Sequence, residues 1–190
     1  MGNSSIGFLF IGKHSESSDN GVLDIDGAFR GSNWQLAYQL ARSYQDDQGD
    51  FAGSAGLTVL KENMILGLRG RYIGDNFNID DVGFVPWKGT AELIGLGGPR
   101  WYFKDGYIRS VLVYFGPVLS YEKVDNFTDY GGLIGLNMQF RNNWGFEINT
   151  TYTRSKERNV TFDYYSHHLS SWYHISPRWH ANLNGSYSKT

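Results

Sequence analysis

The 190-residue sequence predicts an all-β protein, an antiparallel up-and-down barrel whose strands cross a membrane. Three observations carry that prediction. Apolar and polar residues alternate with period two through about eleven segments of roughly ten residues each. Short turns and longer connections take turns along the chain, and aromatic rings mark both ends of the segments. The composition agrees, with 24 Gly, 13 Tyr, 12 Phe and 6 Trp against 4 Pro, a balance that favours pleated strands over helices.

In chain order, Ile6 to Ile11 is apolar throughout and fits either register. Leu23, Ile25 and Phe29 then face away from Asp24 and Asp26. In Trp34 to Tyr44, Trp34, Leu36, Tyr38 and Leu40 oppose Gln35, Ala37, Gln39 and Ala41. Phe51, Ala55, Leu57 and Val59 oppose Ser54, Gly56 and Thr58, and Met64, Leu66, Leu68 and Tyr72 oppose Arg69 and Arg71. Thr90 to Phe103 is interrupted at Gly97, Gly98 and Pro99, where a bulge is expected because proline cannot donate to a ladder. Tyr107 to Tyr121 is apolar on both faces and stays unassigned. Trp144, Phe146, Ile148 and Tyr152 oppose Glu147, Asn149 and Thr151, and Trp179, Ala181, Leu183 and Tyr187 oppose His180, Asn182, Asn184 and Ser186.

Short turns are expected at Gly31 to Asn33, Lys61 to Asn63, Lys104 to Gly106, Arg141 to Asn143 and Ile175 to Pro177. Longer connections are expected at Ser15 to Asn20, Gln45 to Asp50, Ile73 to Gly89, Lys123 to Asp129 and Arg154 to Asp163. This is the asymmetry of outer-membrane barrels, with tight turns at one end and longer loops at the other. Trp34, Tyr107, Trp144 and Trp179 follow short turns, whereas Tyr44, Phe51, Tyr72, Tyr121, Tyr130 and Tyr152 flank the long connections. Rings with an apolar body and a polar edge suit both interfaces of a bilayer. A soluble sandwich also alternates, but its strands cluster near five or six residues.

A mean hydropathy of -0.41 does not argue against a membrane barrel, because only every second residue of a strand meets lipid. The net charge of -2 gives no nucleic-acid footprint. No cysteine is present, which excludes a disulfide framework and thiolate metal sites. The start MGNSSIGFLFIGKH lacks the pattern of a secretory signal. The reading is therefore a single barrel segment over 1–190, part of a larger barrel whose signal peptide and closing strands lie elsewhere.

Two sets of residues stand out. Asp24, Asp26, Arg69, Arg71, Glu92 and Glu147 sit on polar faces, where they are expected to line a lumen, either tuning solute passage or pairing with one another. The stretch Tyr72 to Gly89 is the longest interruption, and its Asp75, Asn76, Phe77, Asn78, Asp80, Asp81, Phe84 and Trp87 are read as a lid. Its apolar second half is expected to fold inward over the lumen or to cap a neighbouring loop, and its acidic half to stay exposed. The acidic run invites calcium, but EF-hand spacing would put Asp81 where glycine is required and Trp87 where glutamate is required; a turn-forming loop fits the spacing better, and no metal site is assigned. Adjacent His167 and His168 point to opposite faces. No nucleophile motif occurs, so no catalytic residue and no cofactor is assigned, although Ser, His and Asp from distant strands remain a conceivable hydrolase. A soluble sugar-binding β-domain using the aromatic rings is the other alternative.

The run YIGDNFNIDDVGFVPW, together with GNSSIGFLFIGKH and VLDIDGAFR, resembles an uncharacterised bacterial family. Its members carry an outer-membrane barrel of unknown function behind a module similar to carbohydrate-binding family nine. The family's loop pattern is matched by Tyr72, Gly74, Phe77 and Asn78; Asp80 and Asp81 contend for one acidic position ahead of Gly83, Phe84 and Val85. Trp87 stands where the family usually has arginine, so no role for that arginine carries over. The resemblance implies the outer membrane of a Gram-negative bacterium, a lipid bilayer as the main partner, and glycan handling through the missing module. It supplies no catalytic residue.

Overall fold

The computed structural model describes residues 3–16, 18–45, 48–80, 85, 87–176 and 179–190. Eleven antiparallel strands form one sheet in chain order, and no helix occurs among the described residues. They are β1 (Ser5–Ser15), β2 (Ser18–Arg30), β3 (Trp34–Gln45), β4 (Phe51–Lys61), β5 (Met64–Ile73), β6 (Thr90–Tyr102), β7 (Ile108–Glu122), β8 (Phe127–Phe140), β9 (Trp144–Glu157), β10 (Val160–Ser176) and β11 (Trp179–Lys189). The chain groups into two compact units. Unit 1 comprises Met1–Val59, Leu68–Leu93 and Ser120–Thr128, and unit 2 comprises Leu60–Gly67, Ile94–Leu119 and Asp129–Thr190.

The registers of unit 1 settle which residues share a face. Leu9 pairs with Asp24 and Ile11 with Val22; Asp24 pairs with Ala41 and Asp26 with Gln39; Gln39 pairs with Ser54. The polar face therefore carries Leu9, Ile11, Val22, Asp24, Asp26, Gln39, Ala41 and Ser54. Phe8, Phe10, Leu23, Leu40 and Phe51 take the other, so β1 is resolved by its partner strand. Burial is inverted relative to a water-soluble sheet. Phe8 is 76% exposed and Leu23 55%, whereas Asp24 is 8% exposed and Ser43 fully buried.

Unit 2 repeats the arrangement. Asn137 pairs with Glu147 and Glu147 with Ser170 on its polar face, while Leu136 pairs with Ile148 and Ile148 with Leu169 on its apolar face. At the turn end of that face Phe140 stacks on Trp144 with centroids 4.1 Å apart, and Trp144 Nε1 donates to the Tyr107 hydroxyl at 2.7 Å. At the other end Tyr152 meets Tyr165 at 5.1 Å. In unit 1, Phe10 stacks on Tyr44 and Phe29 on Tyr38. The Tyr44 ring lies over Gly21, its partner in register, where a β-carbon would collide with it. Glycine thus gives the ring a flat seat across the strand pair.

Several expected connections turn out to be strand. Only 16–17 separate β1 from β2, and Arg158 and Asn159 alone join β9 to β10. Both of those residues have positive φ, 48° and 67°, the geometry of a two-residue hairpin turn. Gln45 and Gln48 exchange backbone hydrogen bonds, which narrows that connection too. The expected long loops at Ser15 to Asn20 and Arg154 to Asp163 are thereby corrected, since hydrogen bonding continues past the point where apolar alternation stops: Arg154 still pairs with Asp163. Strand β6 also runs unbroken through Gly97, Gly98 and Pro99. The expected turn at Ile175 to Pro177 falls partly outside the described residues. What survives as a long connection is the segment from Gly74 to Gly89.

Candidate functional site

The described residues of that segment, itself part of unit 1, are tied to the strands around it. Gly74 N donates to Phe51 O at 2.9 Å, and Asn76 N donates to Asp50 Oδ2 at 3.2 Å. Asn78 is the hub. Its backbone N–H donates to Ser43 Oγ at 3.0 Å, its side-chain amide to Gln45 Oε1 at 2.6 Å, and its side-chain oxygen accepts from Asp80 N at 3.0 Å and from Lys88 Nζ at 3.3 Å. The last two are an Asx turn and its lysine brace. Phe77 is only 3% exposed and lines one cavity with Ile73, Ile79 and Val85.

The expectation for this loop is thus half corrected. The buried aromatic is Phe77, within the acidic half, while Trp87 is 59% exposed, its ring 6.0 Å from the Arg71 guanidinium. The acidic half does stay exposed at Asp75, Asn76 and Asp80, and its carboxylates are paired there: Asp75 with Lys123, and Asp80 with Lys88 at 3.2 Å. Asp81 and Phe84 lie outside the described residues. Where a divalent ion would need converging oxygens, two ammonium groups take these carboxylates, and no cluster of metal-ligating side chains occurs among the described residues.

The Asp75 carboxylate holds the Lys123 ammonium above its ordinary range through a hydrogen bond and direct attraction. Because the folded value is raised, the contact contributes in full below the ordinary lysine pKa of about 10.4. It is lost as pH rises through the raised value. In an NMR titration Lys123 is expected to deprotonate above the ordinary lysine range, and Asp75→Asn should return it to that range. Titration at the ordinary value in the unmodified protein would show that the clasp does not form.

The six polar-face residues separate into four situations. Arg71 and Glu92 form an ion pair at 2.8 Å in unit 1. Asp24 accepts from Gln39 Nε2 at 3.2 Å, while Asp26 and Arg69 are exposed and border a separate polar cavity of about 510 Å³. Glu147 stands in unit 2, its Oε1 accepting from the Tyr114 hydroxyl at 2.7 Å and its Oε2 from Asn137 Nδ2 at 2.9 Å. Neutral donors rather than a cation satisfy it. Tyr114 is 8% exposed because its ring lies over Gly135, where any β-carbon would strike it.

Ser43, Asp50, Lys88, Lys123 and Tyr114 escaped the sequence reading. Each is meaningful only through a partner far along the chain, except Lys88, whose reach back to Asn78 and Asp80 was a visible signal. Tyr114 was hidden in a strand apolar on both faces. His167 and His168 do diverge: His167 shares a hydrogen bond with Thr150 Oγ1 at 3.0 Å on the apolar face, and His168 pairs in register with Asn149 on the polar face. No protein-family model, characterised protein or solved structure matches the chain.

Proposed function

We propose that the chain is a segment of a β-barrel in the outer membrane of a Gram-negative bacterium, non-enzymatic, serving as an anchor or a passage for solutes. Inverted burial is the observation that carries this reading. Exposed Phe8, Leu23, Ile134 and Leu169 form apolar faces, and a sheet that turned them to water would aggregate. Backbone groups paired strand to strand are what a hydrocarbon environment demands. Aromatic rings at both strand ends of each unit suit two bilayer interfaces, whereas a sugar-binding domain would gather them in one patch. Solutes derived from glycans are the class suggested by the family resemblance. The Gly74–Gly89 loop, seated on the polar face of unit 1, would act as the lid of such a passage.

Refolding into detergent followed by electrophoresis with and without boiling tests the reading. A folded barrel is expected to migrate differently when unheated. A protein that folds as a soluble monomer without detergent, and whose migration ignores heating, overturns it.

A further inference from the structure

At the turn end of β10 and β11 in unit 2, two histidines face each other across the strand pair. His174 and His180 are partners in register and both exposed, with ring centroids 6.3 Å apart and planes tilted by 44°. They stand on the polar face, one row beyond Trp172 and its partner Asn182. The backbone of His174 is held from both sides: it pairs with His180 on β11, and its N–H donates to Asn143 O at 2.8 Å on the other flank. A register shift follows between His174 and Ser176, and irregularities of this kind re-aim side chains at strand ends.

The separation of the rings decides what they can share. With each nitrogen about 1.2 Å from its ring centroid, the nitrogens of rings so placed come no closer than about 4 Å, beyond the ~3 Å of a direct hydrogen bond. Two metal–nitrogen bonds of about 2.0–2.1 Å, set opposite one another, span that gap. Opposed nitrogens belong to a square-planar or tetragonal centre, the preference of Cu(II) and Ni(II). A tetrahedral zinc would need the centroids drawn in to about 5.3 Å. The neighbouring row, Trp172 and Asn182, carries no carboxylate, so calcium and magnesium find no charged oxygen there.

We propose that His174 and His180 together bind one divalent transition-metal ion, copper in preference to nickel, across β10 and β11. Both imidazoles ligate in the neutral form. Two protein ligands leave the remaining positions to water, so the ion stays exchangeable. It also fastens β10 to β11 at the point where the register shift interrupts their ladder. The site does not depend on whether the opposite face of the sheet meets lipid or water.

Copper(II) sulfate titrated into the folded chain and followed by electron paramagnetic resonance tests the proposal. The tightest-bound equivalent is expected to show coupling to two imidazole nitrogens. His174→Ala and His180→Ala should each weaken that equivalent about tenfold or more, because the second ligand no longer binds within the same molecule. His14→Ala, which removes the histidine paired with Asp19 in unit 1, should leave it unchanged. Coupling to a single nitrogen, unchanged affinity in either variant, or loss of the equivalent in His14→Ala would mean an adventitious ion only and overturn the assignment. Both rings are exposed, so neither variant empties a packed core, and the nitrogen count on the unmodified protein decides the matter even where a variant does not fold.

Discussion

Leu169→Arg is expected to destabilise the protein in a bilayer by about 2–4 kcal/mol, whereas Ser170→Arg, one residue along the same strand, should change stability by no more than about 0.5 kcal/mol. Leu169 lies on the apolar face of β10, paired with Ile148, and is 46% exposed. On that face it stands midway between Tyr165 and Tyr173, about 13 Å along the strand from each. If these rings mark the two interfaces, Leu169 lies at mid-membrane, where an arginine on the lipid side costs most. Ser170 faces the other way and pairs with Glu147, so a guanidinium there meets a carboxylate. Reversible denaturant unfolding of both variants in liposomes measures the contrast. In a soluble protein the order vanishes, because a half-exposed leucine on a wet surface tolerates arginine with little effect. Equal, small effects would therefore defeat the membrane reading without any assay of transport.

This contrast uses the part of the fold most legible in the sequence, the division into faces. Period-two alternation assigns a face wherever one side is apolar and the other polar, as in β3, β9 and β11. It fails where both sides are apolar. Phe8 and Leu9 look alike until Leu9 is seen opposite Asp24, and Tyr114 in β7 is placed by the room that Gly135 leaves on β8. Strand ends were misjudged for a different reason. Hydropathy reports the surroundings of side chains, but a ladder needs only backbone groups, so polar residues such as Arg154 and Asp163 continue a hairpin that alternation no longer marks. The loop's direction was invisible because its anchors, Ser43, Asp50 and Lys123, are remote in sequence. Nothing local distinguishes Phe77 from other aromatic residues as the one that turns inward.

Those remote anchors make the loop a unit with its own stability, separate from that of the sheet. Its contacts fall into two kinds. Asp75–Lys123 and Asp80–Lys88 are surface ion pairs, which contribute little and are screened by salt. Phe77 and the Asn78–Ser43 bond are buried or half-buried, and they dominate. Salt alone should therefore leave the loop in place, while loss of the Phe77 ring should release it.

Phe77→Ala is accordingly expected to open the loop while the strands stay paired. Truncating a buried phenylalanine costs about 3–5 kcal/mol, and even the lower figure raises the open population by a factor of about 10². The ring is held by the loop and the polar face of unit 1 rather than by the ladder, so the cost falls on the loop's closure and leaves strand pairing intact. Hydrogen exchange should show it directly: the Asn78 amide, which donates to Ser43 Oγ, and the Asn76 amide, which donates to Asp50, lose protection, while amides in β2 and β3 keep theirs. Liposome swelling then separates two roles. If the loop is a lid, Phe77→Ala increases the entry of small neutral sugars in step with exchange at Asn78. If exchange rises and swelling does not change, the loop is a clasp that fastens β3, β4 and β5 at one end, and the route for solutes lies elsewhere or is closed.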